Sequence, residues 1–366
     1  MTVIREVRLE ILEVPFRTPI AAGARLWATR RLALARLVGD DGLQGIGEVA
    51  GAEPGGSSGP MGNDLDGRLA GLDPADSRDV DERLRAVEVQ TPSGRALRSA
   101  LETATVDLAA RAAGVPVAAM LATSWRPRVA LNGLVGIEPP GAAARTASAL
   151  AAAGFRCLKL KGGREPTGVL VERIRAVRGA VGPSVRLRLD VNGGWSLTEA
   201  SQAIAAVVPF DLEYVEQPLP PELGPGALAT LRRAVGVPIA ADESVSDPAA
   251  AHALLEAGAT DVLVVKPARV GGLRQARRIA DLATSFGVPI VVSTLFETGI
   301  GLAAALQLAA TLADDGRAHG LGTADLLATD LLAESLPIAD GWMTVPSGSG
   351  LGVHLDPAAV ETYRVR

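Results

Sequence analysis

From residue 129 onward the chain repeats one unit: a short apolar run, a turn, then an Ala/Leu-rich stretch with apolar residues three and four apart. The runs are VALNGLVG (129–136), CLKLK (157–161), VRLRLDV (185–191), LEYVEQP (212–218), PIAADES (238–244), DVLVVKP (261–267), PIVVSTL (289–295) and a poorer AHGLGTA (318–324). Short apolar strands separated by helical stretches such as TEASQAIAAVV and GLRQARRIADLATSFG predict parallel pairing, because a parallel strand can be reached only through a crossover. Eight such cycles favour a closed α/β barrel over an open sheet.

The first third does not follow this rhythm. VIREVRLEILEVPF and RRLALARLVGDDGLQGIGEVA alternate as strands, with GDDG as the hairpin turn. Residues 51–64 are rich in Gly, Ser and Pro and read as a loop, and residues 76–122 turn helical. At 366 residues the chain exceeds one comfortable core, so it divides into an α+β unit at 1–126, a barrel at 127–330 and a segment at 331–366 expected to pack back on the first unit.

Composition narrows the function. A net charge of −5 with no basic run argues against nucleic acid and anionic membranes as partners. No apolar stretch reaches the length of a membrane span, and charges in the first ten residues argue against a secretory signal. A lone cysteine, Cys157, allows no internal disulfide and suits a reducing cytoplasm. The expectation is a soluble, cytoplasmic protein.

Polar residues close five consecutive strands. Lys161, Asp190, Glu216, Asp242 and Lys266 stand 29, 26, 26 and 24 residues apart, one βα unit each. In a barrel these ends share one mouth, where sites of this fold lie. Singly, each Asp or Glu is more often a helix cap and each Lys a solvated tip. Together, three carboxylates forced close need a cation, and an oxygen-only set favours Mg²⁺ over Zn²⁺. A lysine on either side of the trio, near a metal, can act as a base. The chemistry that needs this set is proton abstraction beside a carboxylate, with the metal offsetting the enediolate charge.

Other features carry less. GIGEVA offers Gly45, Gly47 and Ala50 to the dinucleotide fingerprint, but GAEPGGSSG follows instead of a helix. His252, His319 and His354 are too scattered for a triad or a metal cluster, and Cys157 shares parity with Lys159 and Lys161, so it faces the barrel interior a layer deeper.

The motifs KLK (159–161), DVNGGW (190–195), EQP (216–218), ADES (241–244) and KPARVGG (266–272) resemble the enolase superfamily, in its muconate-lactonising-enzyme subgroup. The resemblance covers almost the whole chain. It implies a TIM-type (β/α)7β barrel under an α+β capping domain built from the N-terminal third and the C-terminal tail. It also implies Asp190, Glu216 and Asp242 as ligands of Mg²⁺ (Mn²⁺ as a substitute), Lys161 as acid/base, Lys266 on the opposite face, and Lys159 beside the substrate carboxylate. Asn192 and Glu243 would orient those ligands.

Members that share this set catalyse different reactions on small carboxylates. VVSTLFETGIG (291–301), with Ser293 and Glu297, is most similar to o-succinylbenzoate synthases, dehydratases of menaquinone biosynthesis, and to succinylamino acid racemases. Dipeptide epimerases carry an Asp-x-Asp pair after strand eight, whereas here Asp325 and Asp330 stand five apart. The reading is therefore syn-dehydration, with N-succinylamino acid racemase, dipeptide epimerase, muconate-type cycloisomerase and a non-catalytic carboxylate-binding barrel as alternatives. The region around Gly23–Trp27 and the 51–63 segment are expected to form a lid with Trp27 as an apolar wall, and a homo-oligomer is left open.

Overall fold

The computed structural model describes residues 2–22, 25–50, 65–85 and 91–365. Three antiparallel strands open the chain: β1 (Ile4–Ala22), β2 (Arg25–Gly39) and β3 (Gln44–Ala50), in the order β1-β2-β3. The alternation Leu32-Ala33-Leu34-Ala35 in β2 sets both faces of this sheet. Leu32 and Leu34 join Leu12, Val14 and Ile46 in the same core as the barrel residues. Ala33 and Ala35 turn to the long helix Pro92–Ala113, packing with Ala100, Leu101, Ala104 and Leu108. Their partners on β3 are Val49 and Gly47, with Gly45 beyond. A Cβ on Gly45 would lie 2.0 Å from the Ala104 carbonyl oxygen, and one on Gly47 2.0 Å from that of Ala100. The glycines that imitate a nucleotide fingerprint thus let a helix backbone rest on the strand.

The barrel follows: β5 (Gly133–Val135), β6 (Cys157–Lys161), β7 (Arg186–Asp190), β8 (Leu212–Glu216), β9 (Ile239–Ala241), β10 (Val262–Val265) and β11 (Ile290–Val292), all parallel and each beside its neighbour in sequence. The expected eighth strand shrinks to His319 and Gly320, yet it closes the ring. His319 N donates to Ala130 O at 2.7 Å, Asn132 N to His319 O at 2.9 Å, and Gly320 N to Val292 O at 2.8 Å. His319 is structural: its Nδ1 accepts from Val292 N, and burial pushes the ring down to about 3, so it stays neutral. No helix among the described residues is long and apolar enough to cross a membrane.

Two sequence expectations need adjusting. The run 129–136 is not one strand, because β4 (Arg128–Ala130) pairs antiparallel with β13 (Trp342–Thr344), itself paired to β12 (Ile338–Ala339), before the chain enters β5. Part of the tail therefore packs at the barrel. The remainder returns to the first unit, where Gly350 bonds Val115 and Val117, and Val365 N donates to Ile11 O at 2.9 Å. Trp27 lies within β2, opposite Ile20, rather than in a loop. The lid expected at Gly23 and over 51–63 falls outside the described residues.

The first unit docks through carboxylates at helix N-termini. Glu48, on β3, accepts from Thr298 N, Thr298 Oγ1 and Gly301 N at the start of helix Gly299–Ala310. Glu102 accepts from Arg274 N at the start of helix Leu273–Ser285. Each meets orphan N–H groups and the positive end of a helix dipole.

Candidate active site

Register brings the strand-end residues together. Lys161 pairs with Asp190 and Asp190 with Glu216, so the three share one layer at the ends of β6, β7 and β8. One layer deeper Lys159 pairs with Arg188 and Arg188 with Tyr214. Lys161 Nζ donates to Asp190 Oδ2 at 2.7 Å, and Lys159 Nζ reaches the same oxygen at 3.0 Å and Glu216 Oε1 at 2.8 Å. Across the ring, Lys266 Nζ meets Asp242 Oδ2 at 2.5 Å, and Arg269 donates to the other oxygen of Asp242. β6 and β10 are four places apart in an eight-place ring, which sets Lys161 and Lys266 on facing sides.

Among the described residues no three Asp, Glu, His or Cys side chains stand gathered as a ready cation cage. Lysines hold the places between the carboxylates, with Lys159 lodged between Asp190 and Glu216. The electrostatics record the crowding. Burial and the neighbouring Asp190 push Glu216 up to about 7. Burial works on Asp190 in the same sense, but Lys159 and Lys161 outweigh it and hold Asp190 well below the carboxylate range. Burial opposes the charge on Lys159, yet Asp190, Glu216 and Asp242 keep it well above the ordinary lysine value.

Asn192 and Glu243 extend the cluster. Asn192 takes a positive φ of 48°, accepts from Lys161 Nζ at 3.0 Å and donates to Glu243 Oε1 at 3.0 Å. The second oxygen of Glu243 is buried without a partner, and burial, then Asp242, raises that carboxyl. Such an orphaned carboxylate oxygen beside three buried carboxylates is the donor chemistry a hard divalent cation fits.

Two further expectations lie near but make no bond to this group. Ser293 donates to Gly320 O at 3.2 Å across the barrel seam, and Glu297 folds onto Leu295 N beside Glu48. Trp27 is half-buried against the main core with its Nε1 unpartnered. Cys157 is fully buried in the interior as its parity requires, its thiol pushed up to about 11 by burial.

Two residues without a predicted role are prominent in the site. Gln217, at φ 41°, accepts from Asp242 N and Ser244 N through Oε1 and donates to Leu219 O and Ser244 Oγ through Nε2. It fixes the turn that presents Asp242. Arg269 pairs with Asp242 from three residues beyond Lys266. Both sit inside quoted motifs, EQP and KPARVGG, which are their only sequence signal.

The profile described as "Enolase C-terminal domain-like" matches residues 142–359, and "Mandelate racemase / muconate lactonizing enzyme, N-terminal domain" matches residues 4–122. The chain belongs to the enolase superfamily. Within that superfamily it is 42% identical over 194 residues to an o-succinylbenzoate synthase of Thermobifida fusca, covering 52% of this chain and 59% of that relative. The chain thus spans under two thirds of that relative's length. Muconate cycloisomerase 1 of Rhodococcus opacus is 32% identical over 280 residues, covering 76% of this chain and 74% of the relative. The solved muconate lactonizing enzyme of Pseudomonas fluorescens, complexed with muconolactone, superposes over 100% of both chains with a TM-score of 0.91 at 25% identity. An enolase-superfamily barrel with a capping domain is what the sequence motifs imply.

Proposed function

We propose that this chain is an o-succinylbenzoate synthase that removes water from a hydroxycyclohexadiene carboxylate bearing a succinyl group. The observation that carries the reading is the pair Lys161–Asp190 and Lys266–Asp242 on facing sides of one mouth, which supports an amine on each face of a substrate lying between them. The 42% identity to a named synthase over part of its length supports this reaction among those the superfamily shares.

Lys161 Nζ takes the proton α to the ring carboxylate, and the C–H electron pair passes into an enediolate. Collapse of that enediolate expels hydroxide from the neighbouring carbon on the same face. The proton held by Lys161 goes to it, leaving water and the aromatic ring. Lys266 stays protonated on the other face and stabilises the developing negative charge. Asp190, Glu216 and Asp242 would hold Mg²⁺ or Mn²⁺, oriented by Asn192 and Glu243, and the bound cation supplies charge that offsets the enediolate. Among the described residues four basic side chains (Lys159, Lys161, Lys266, Arg269) face four acidic ones (Asp190, Glu216, Asp242, Glu243).

An isomerase reading keeps one supporting observation: a lysine on each face also suits proton transfer from one side of a carbon to the other. The epimerase form has less support, because Asp330 is committed to Gly299 N and Leu331 N at 2.8 and 2.7 Å. With Mg²⁺ present, turnover of the synthase substrate compared with N-succinyl amino acids and muconate tests the choice. Preference for an N-succinyl amino acid or muconate overturns the synthase reading in favour of an isomerase. Failure of all three to turn over or to exchange their α-protons overturns the catalytic reading.

A further inference from the structure

The segment Lys266–Gly272, a single helical turn (Pro267–Val270) followed by two glycines, carries two of the four basic side chains at the mouth, and it cannot cap the helix it leads into. Gly272, at the N-cap of helix Leu273–Ser285, has no side chain to offer. Side chains from the other unit bond its backbone, and one of them, Glu102, supplies the missing acceptor. Arg95 Nε donates to Arg269 O at 3.1 Å, Arg98 Nη1 donates to Gly271 O at 3.1 Å, and Glu102 Oε1 accepts from Arg274 N at 2.9 Å. Residues 95, 98 and 102 are three and four apart, so one face of helix Pro92–Ala113 grips one loop.

The loop is shaped to receive them. Gly271 and Gly272 take φ of 91° and 129°, which side chains resist. A Cβ on Gly272 would stand 1.5 Å from Glu102 Oε2, and one on Gly271 3.1 Å from Arg98 Nη1. Arg98 and Glu102 are both buried, at 6% and 2% exposure, and Asp81 pairs with Arg98 from behind. Two of these bonds go to carbonyls within the turn Lys266–Gly272 and the third to the N–H of Arg274 just after it. From the same turn, Lys266 and Arg269 both reach Asp242.

We infer that Arg98 and Glu102 are positioning residues of the capping unit, acting through the loop backbone to hold Lys266 and Arg269 against Asp242. The inference rests on the proposed role of Lys266. Neither residue touches the mouth carboxylates, so their effect is on the placement of a charged group, where small displacements cost large rate factors.

The test uses the full chain with Mg²⁺ and the synthase substrate. Arg98→Met and Glu102→Ala should lower kcat by about tenfold to hundredfold with KM changed by less than about threefold. Glu102→Gln, which keeps an acceptor for Arg274 N, should restore most of kcat. Asp107→Asn is the control for lost stability, since Asp107 lies on the same helix but bonds Ile46 N and Leu351 N, away from the loop. Hydrogen exchange should show amides of 266–274 opening in the first two variants while those of 157–161 keep their protection. The inference fails if kcat in Arg98→Met and Glu102→Ala falls no further than in Asp107→Asn of equal stability, or if the loop amides stay protected. If the wild type turns over no substrate, that result counts against the synthase, and loop protection alone then decides the positioning role.

Discussion

Single residues in this fold behave according to what surrounds them, and three give sharp expectations. Cys157 is buried with a thiol near 11, so an aromatic disulfide reagent should label it only as fast as the protein unfolds. Labelling of native protein within minutes would contradict that burial. Glu48 is the second case. Burial, with Glu297 beside it, lifts its carboxyl from 4.5 to about 7, while Thr298 and Arg30 pull the other way. A carboxyl raised in the fold stays protonated there after the unfolded chain has released its proton, so stability falls as pH rises from about 4.5 to 7. Glu48→Gln should therefore gain on wild type across that window, by about 3 kcal/mol at most, read from urea unfolding at pH 5 and pH 8. The third is Gln217, whose amide ties Asp242 N and Ser244 N to its own turn. Gln217→Ala should weaken Mg²⁺ binding by about tenfold, measured by calorimetry, because ligand orientation is lost while the carboxylates remain.

At the scale of elements, contacts between backbones decide what side chains are allowed. Gly45 and Gly47 leave no space for a Cβ against Ala104 O and Ala100 O. Gly47→Ala should cost about 1–3 kcal/mol or more, seen as a lower urea midpoint, with helix Pro92–Ala113 displaced from β3. The same elements show what was legible. Polar residues ending β6 to β10 announced their own convergence, because strand parity and the βα interval are local and periodic. The split of 129–136 into β4 and β5 was hidden, since what divides the run is pairing of β4 with β13, two hundred residues away. Glu48 and Glu102 were equally silent. A carboxylate that caps a helix 250 or 172 positions away leaves no spacing pattern to read.

On the scale of the whole molecule, the capping unit is bonded to the barrel over strands and helices of its second half. Glu48 holds helix Gly299–Ala310, Glu102 holds helix Leu273–Ser285, and the tail returns through Gly350 and Val365. This is the route by which a unit without any of the five strand-end residues would act on the mouth. It also makes the two lysines different in their support: Lys161 is tied to its own strand and to Asn192, while Lys266 depends on a loop gripped from outside the barrel. The proposed reaction requires those two lysines to work from opposite faces of one bound carboxylate. The most direct measurement is water loss from the synthase substrate with Mg²⁺, comparing wild type, Lys161→Ala and Lys266→Ala. The prediction is turnover by wild type, a loss of about 10²–10⁴-fold or more in Lys161→Ala, and a smaller loss in kcat for Lys266→Ala. Turnover surviving in Lys161→Ala at the wild-type rate would contradict it.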